Sequence, residues 1–143
     1  PLGRGGVLQV DGDKGIRLPN GLYLRYPNLR TVISQETSRN EYVYDIRRGK
    51  ALKENRIYGG KVVENICQAV ARIVIGEQLL RVSKDYKIVM TVHDAIGCVV
   101  PEADVNQAMI SIADTMKIRP VWATELPLDC EGGFGNSYGE CNN

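Results

Sequence analysis

Few side chains in this sequence are placed to do chemistry, and the best placed stand together at His93-Asp94. The pair lies between two runs of apolar and β-branched residues within Tyr86 to Pro101. An aspartate at a reversal between two such strands sits at the rim of a rigid sheet, where it can reach a hard cation. Mg²⁺ suits that place, because it binds through one or two carboxylates and keeps waters and substrate phosphate oxygens at ~2.0–2.1 Å. Two such ions ~3.5–4 Å apart can stabilise both the attacking and the leaving oxygen of a phosphoryl transfer. One aspartate alone is not that site. On local pattern the commoner role for Asp94 is a turn residue bonding its own backbone, and His93 fits a packed strand position equally well.

Other chemistries fall away on counting. Metal-dependent phosphohydrolases built on a His-Asp pair need further histidines, and His93 is the only one. A nucleophilic triad would need a Ser or Cys positioned beside that histidine, and no GxSxG turn is present. Gly59-Gly60-Lys61 is too short for a phosphate loop of the GxxxxGK[ST] type. Cys67, Cys98, Cys130 and Cys141 contain no CxxC pair and make no zinc pattern, which leaves a reduced, cytoplasmic protein as the default. With 18 basic and 17 acidic side chains the overall field is uninformative, so any phosphate contact must come from local groups. No apolar run is long enough to cross a bilayer, and no signal-peptide pattern is seen.

The elements that must position His93 and Asp94 follow from the periodicity. Runs around Ile16-Arg17-Leu18 and Leu22 to Tyr26 flank Pro19-Asn20-Gly21, a strong hairpin signal. Glu41 to Ile46 predicts a strand with Tyr42, Tyr44 and Ile46 on one face, followed by a basic turn at Arg47-Arg48-Gly49-Lys50. From about Lys61 to Val82 the apolar spacing becomes helical, through Val62, Ile66, Ala69, Val70, Ile73 and Leu80. Val63, Val74 and Leu79 widen that stripe, so a central helix packed on more than one side is expected. Two buried strands reversing at His93-Asp94-Ala95 come next. Asp104, with Gln107 in the capping-box position, opens an amphipathic helix through Val105, Ala108, Met109, Ile112, Ala113 and Met116. Leu126 to Glu131 suggests a last edge strand. The expected class is α+β, an antiparallel sheet with two main helices packed on one face. Residues 1–15 read as an N-terminal extension or truncated end, and 16–143 as one body.

The ordered set of motifs resembles the C-terminal part of the palm subdomain of family A, DNA polymerase I-like DNA polymerases, in particular phage members. Val92-His93-Asp94 between apolar strands is similar to motif C of that family. Tyr58-Gly59-Gly60-Lys61-Val62-Val63-Glu64-Asn65-Ile66-Cys67-Gln68-Ala69 resembles the helix preceding it. Arg17-Leu18-Pro19-Asn20-Gly21 and Tyr26-Pro27-Asn28-Leu29 resemble the strands that return to the palm after the fingers. Leu126-Pro127-Leu128 and Glu131-Gly132-Gly133-Phe134-Gly135 resemble the family's C-terminal ends. The resemblance spans nearly the whole chain, in the right order.

That resemblance implies a DNA-directed DNA polymerase, a nucleotidyltransferase of DNA replication using a two-ion Mg²⁺ site. Asp94 would be one of two metal-binding aspartates that align the primer 3′-hydroxyl with the α-phosphate of an incoming dNTP, and His93 would lie near the primer terminus. Gln68 matches a glutamine facing the minor groove of the primer–template, with Asn65, Lys61 and, more weakly, Arg72 as further DNA contacts. The alternative for each is a polar helix face turned to water. Ala95 departs from the family, whose members commonly carry Glu there. The motif A aspartate and the dNTP-binding fingers helix should precede this region. The isolated chain is therefore expected to be inactive, a fragment of a longer polymerase or a piece assembled with the remainder as a partner, in the host cytoplasm if phage-encoded. The competing reading is a small α+β nucleic-acid-binding or interaction module without catalysis, with Tyr42 and Tyr44 as stacking candidates.

Overall fold

The computed structural model describes residues 2, 4–36 and 38–141. Pro1 and Gly3 of the expected extension, Thr37, and Asn142 and Asn143 of the tail lie outside the described residues. The chain divides into two compact units, Pro1–Ala71 and Arg72–Asn143.

In the first unit, strands β1 (Gln9–Asp11), β2 (Gly15–Arg17) and β3 (Tyr23–Leu24) form an antiparallel sheet in the order β1-β2-β3. The hairpin around Pro19-Asn20-Gly21 is the one expected. Ile16 pairs with Leu24, Leu18 N–H donates to the Leu22 carbonyl at 2.8 Å, and the Asn20 Oδ1 accepts from Leu22 N–H at 3.1 Å. Gly21 takes φ 83°, a turn conformation that favours glycine. Strand β1 pairs with β2 through Val10↔Ile16.

A second three-stranded antiparallel sheet follows, β4 (Arg30–Ile33), β5 (Asn40–Arg48) and β6 (Ala51–Ile57), in the order β4-β5-β6. The basic turn is present as a two-residue reversal, Gly49-Lys50, with Gly49 at φ 63°. Strand β6 had no β signature, since Ala, Lys, Glu and Asn are poor strand formers. Its partner β5 supplies the ladder from Arg48↔Ala51 to Tyr42↔Ile57. Val43 and Ile57 are its buried anchors. Arg30 bridges Asp45 at 3.0 Å and also pairs with Glu54, while Asn28 donates to Asp45 at 3.0 Å.

Helix α1 (Gly59–Val82) runs from the first unit into the second. The second unit buries Ile73, Val74, Gln78 and Val82 of this helix. Its expected burial on several sides is not met: Val63 and Leu80 are 59% and 71% exposed, because the described residues cover only part of a wide apolar arc. Strands β7 (Lys87–Val92) and β8 (Ala95–Val99) form a two-stranded hairpin, largely exposed instead of buried. Helix α2 (Val105–Met116) has the predicted amphipathic spacing, with Ala108 and Met116 buried. Asp104 makes no side-chain cap, because a 3₁₀ turn at Glu102–Asp104 leads into the helix and puts Asp104 at φ −101°, ψ −2°. No strand forms at 126–131, because no described strand offers it a ladder to pair with. This segment is irregular. The last turns of α1 hold the chain after α2: Gln78 Nε2 donates to the Met116 carbonyl, Arg81 to the Ile118 carbonyl at 3.3 Å, and Glu77 accepts from the Trp122 indole at 2.7 Å.

The class is α+β as expected, with the antiparallel pairing spread over three small sheets. Among the described residues, no helix is long and apolar enough to cross a membrane.

Three carboxyls are held below their ordinary value of 3.8: Asp11 by the Tyr23 hydroxyl, Asp45 by Asn28 and then Arg30, and Asp129 by Lys117. A carboxyl depressed in the folded state contributes stability that is fully present above its unfolded value and lost as pH falls through the folded one. The urea midpoint is therefore expected to drop as pH falls below 3.8. The drop should be smaller in Asp45→Asn, which has no such proton to take up.

Candidate functional site

The β7–β8 reversal places the residues singled out first. Val92 pairs with Ala95, which leaves His93 and Asp94 as the two central residues of the turn. His93 has φ 51°, in the left-handed region where the first central residue of a primed hairpin turn lies. A non-glycine residue there carries strain of about 1–3 kcal/mol, and such residues cluster at functional sites. Further back, Met90 faces Gly97, where a Cβ would run into the Met90 side chain. The glycine thus lets the two strands close under the turn.

Both turn side chains are exposed, and among the described residues neither makes a hydrogen bond or ion pair. The Asp94 carboxylate is consequently free to accept from, or coordinate, something outside the chain. Its oxygens suit a hard cation. Among the described residues no three His, Cys, Asp or Glu gather as a cage, and Ala95 adds no second carboxylate. Among the described residues, the reversal therefore presents a single carboxylate, that of Asp94.

The other predicted residues lie on α1. Lys61, Asn65 and Gln68 are spaced four and three apart, which brings them onto one face of the helix. Arg72 follows four residues later at the start of the second unit. Their surroundings differ. Lys61 pairs with Glu64 at 2.7 Å, and that carboxylate holds its ammonium above the ordinary value. Asn65 donates to the Tyr26 hydroxyl at 3.1 Å, and Tyr26 packs edge-on against Tyr44 with ring centroids 5.1 Å apart. Gln68 and Arg72 are exposed and make no hydrogen bond or ion pair among the described residues. Of the side chains on this face, the Gln68 amide is the more available and the Asn65 amide is engaged inward.

The same contacts separate the two stacking candidates. Tyr44 is packed on Tyr26 and accepts from Asn55 at 2.9 Å, whereas Tyr42 is 58% exposed. Sequence reasoning missed the Tyr26 bond to Asn65, since the two are 39 residues apart and no local pattern links them. It also missed the long ribbon that displays the basic turn. Burial pushes the Cys98 and Cys130 thiols up, which makes them poor nucleophiles at neutral pH.

No protein-family model matches the chain, and no solved structure matches it. A curated protein does: the DNA polymerase of Bacillus phage SP02 is 34% identical to it over 127 residues, which are 86% of this chain and 19% of the polymerase. The chain spans about a fifth of that relative's length. By that identity the chain is related to one stretch of a phage DNA polymerase.

Proposed function

We propose that this chain is the motif C part of the palm of a family A DNA-directed DNA polymerase, acting within the cytoplasm of a host cell on primer–template DNA and dNTP. The observation that carries the reading is an exposed Asp94 at a strained two-residue reversal, in a chain 34% identical to a phage DNA polymerase. The rest of the site, including a second carboxylate, belongs to parts of the polymerase beyond the stretch described. Asp94 would hold Mg²⁺, which when bound neutralises charge on the transferring phosphoryl group. His93 and the β7–β8 ladder fix where that carboxylate stands. Gln68 presents an amide able to donate to the purine N3 and pyrimidine O2 acceptors of the minor groove, a contact open to every base pair.

The test is templated primer extension by the full-length protein, with Asp94 as the altered residue. A module without catalysis would instead bind single strands in a salt-sensitive way, indifferent to Mg²⁺ and to Asp94. Of the two stacking candidates, Tyr42 keeps an exposed ring for that role.

The helix face makes a separate prediction. One neutral hydrogen bond contributes about 0.5–1.5 kcal/mol, so Gln68→Ala is expected to weaken primer–template binding or extension roughly three- to tenfold. Asn65→Ala should act mainly by releasing Tyr26, and so lower the urea midpoint as well. Equal stability loss in both variants, with binding unchanged in Gln68→Ala, would remove Gln68 from the interface.

A further inference from the structure

The β5–β6 hairpin carries a feature that the Asp94 site does not use. Its far end holds Arg47, Arg48, Lys50 and Lys53, with no acidic residue from Arg47 to Lys53. All four are exposed, and among the described residues none is ion-paired. The nearest acids in the ladder are not available to neutralise them, because Asp45 and Glu54 are both taken by Arg30. Arg56, further down, is likewise occupied, pairing with Glu41 at 3.0 Å.

The register decides how these charges are shown. Residues directly opposite each other in an antiparallel ladder share a face, and faces alternate along each strand. Ile46↔Lys53 and Arg48↔Ala51 therefore put Arg48 and Lys53 on one face, while Arg47↔Leu52 puts Arg47 on the other, with Lys50 in the turn. A two-stranded ribbon with cations on both faces and at its tip fits the major groove of B-form DNA, which is ~12 Å wide and admits such a ribbon between two phosphate backbones. A membrane surface would be met better by cations gathered on one face.

We propose that the β5–β6 ribbon binds the phosphate backbone of duplex DNA, independently of sequence and of Mg²⁺. The choice of DNA over other polyanions rests on the polymerase reading; the charge display does not.

Each phosphate neutralised adds about −0.9 to the slope of log affinity against log salt. Four contacts contribute about −3.6, or roughly a hundredfold weakening between 50 and 200 mM salt. In the full-length protein without Mg²⁺, anisotropy of a labelled 20-base-pair duplex is expected to show R47Q/R48Q/K50Q/K53Q losing a large part of that slope. The charge-preserving R47K/R48K variant should keep the slope, and circular dichroism of the fourfold variant should match the wild type.

Failure of the two readings is distinguishable. Should the wild type extend primers while the folded fourfold variant binds duplex with unchanged slope, the ribbon proposal falls and the polymerase reading stands. If instead the fourfold variant loses the slope and the wild type extends no primer, the ribbon proposal stands and the polymerase reading falls. Wild-type protein that does not bind duplex, or that binds phosphatidylserine vesicles more tightly than duplex, overturns the ribbon proposal.

Discussion

Asp94→Ala is expected to lower Mg²⁺-dependent primer extension by the full-length protein about a thousandfold, with duplex binding changed only a few-fold. Stabilising charge on a transferring phosphoryl group through a metal is worth several kcal/mol. Each ~1.4 kcal/mol is a factor of ten in rate, so losing about 4 kcal/mol gives this drop. Folding should hardly change, because Asp94 is exposed and makes no hydrogen bond or ion pair among the described residues. Surface substitutions of that kind stay within about 0.5 kcal/mol. Asp94→Asn separates the two roles open to this residue. As a turn former Asn substitutes well for Asp and tolerates the same conformations, so a purely structural Asp94 would be rescued by Asn. As a cation ligand the neutral amide fails, and Asn should be nearly as slow as Ala. Extension within tenfold of wild type in Asp94→Asn would end the metal-ligand reading.

A second large effect is expected far from that turn. Gly15→Ala should destabilise the protein by about 3 kcal/mol or more, a large fraction of the ~5–15 kcal/mol that holds a typical domain. Gly15 stands at φ 108°, where L side chains are strained, and a Cβ there would run into the backbone carbonyl oxygen of Leu24 on β3. Backbone cannot step aside as the end of a flexible side chain can. The sheet would have to open between β2 and β3, uncovering Ile16. Gly12 provides the control: it too has positive φ, at 41°, but a Cβ there meets nothing within 4 Å. Gly12→Ala should therefore cost only the conformational penalty, about 1 kcal/mol. Urea midpoints of the two variants measure the difference, and equal shifts would mean that the close approach at Gly15 contributes nothing.

Where sequence reasoning succeeded, the deciding interactions were local. Asn20-Gly21 specifies its turn through a side-chain bond two residues on and a positive φ. The spacing from Val105 to Met116 specifies a helix because apolar residues three and four apart share a face. Asp94 was legible for the same reason, as a polar point between two β-branched runs. Failures arose where a distant partner made the choice. Strand β6, composed of Ala, Leu, Lys, Glu, Asn, Arg and Ile, is a strand because β5 offers it a seven-pair ladder. Residues 9–11 became a strand because Gly15 lets the chain turn back along β2. The capping box at Asp104 and Gln107 was a sound local pattern, overridden by the 3₁₀ turn that precedes the helix. At 126–131 the apolar residues suggested an edge strand, but no described strand pairs with that segment.

By itself, then, the sequence determined the elements whose residues interact within a few positions: the Asn-Gly turn, both helices and the reversal that carries His93 and Asp94. Only the tertiary structure decided which polar groups remain available. It turned Asn65 inward to Tyr26, left Gln68 exposed on the same helix face, and tied Asp45 and Glu54 to Arg30 so that the cations of the β5–β6 ribbon stand uncompensated. The physical reason is that a hydrogen bond or ion pair depends on separation in space, and residues 39 or 24 positions apart carry no sign in the sequence that they will meet.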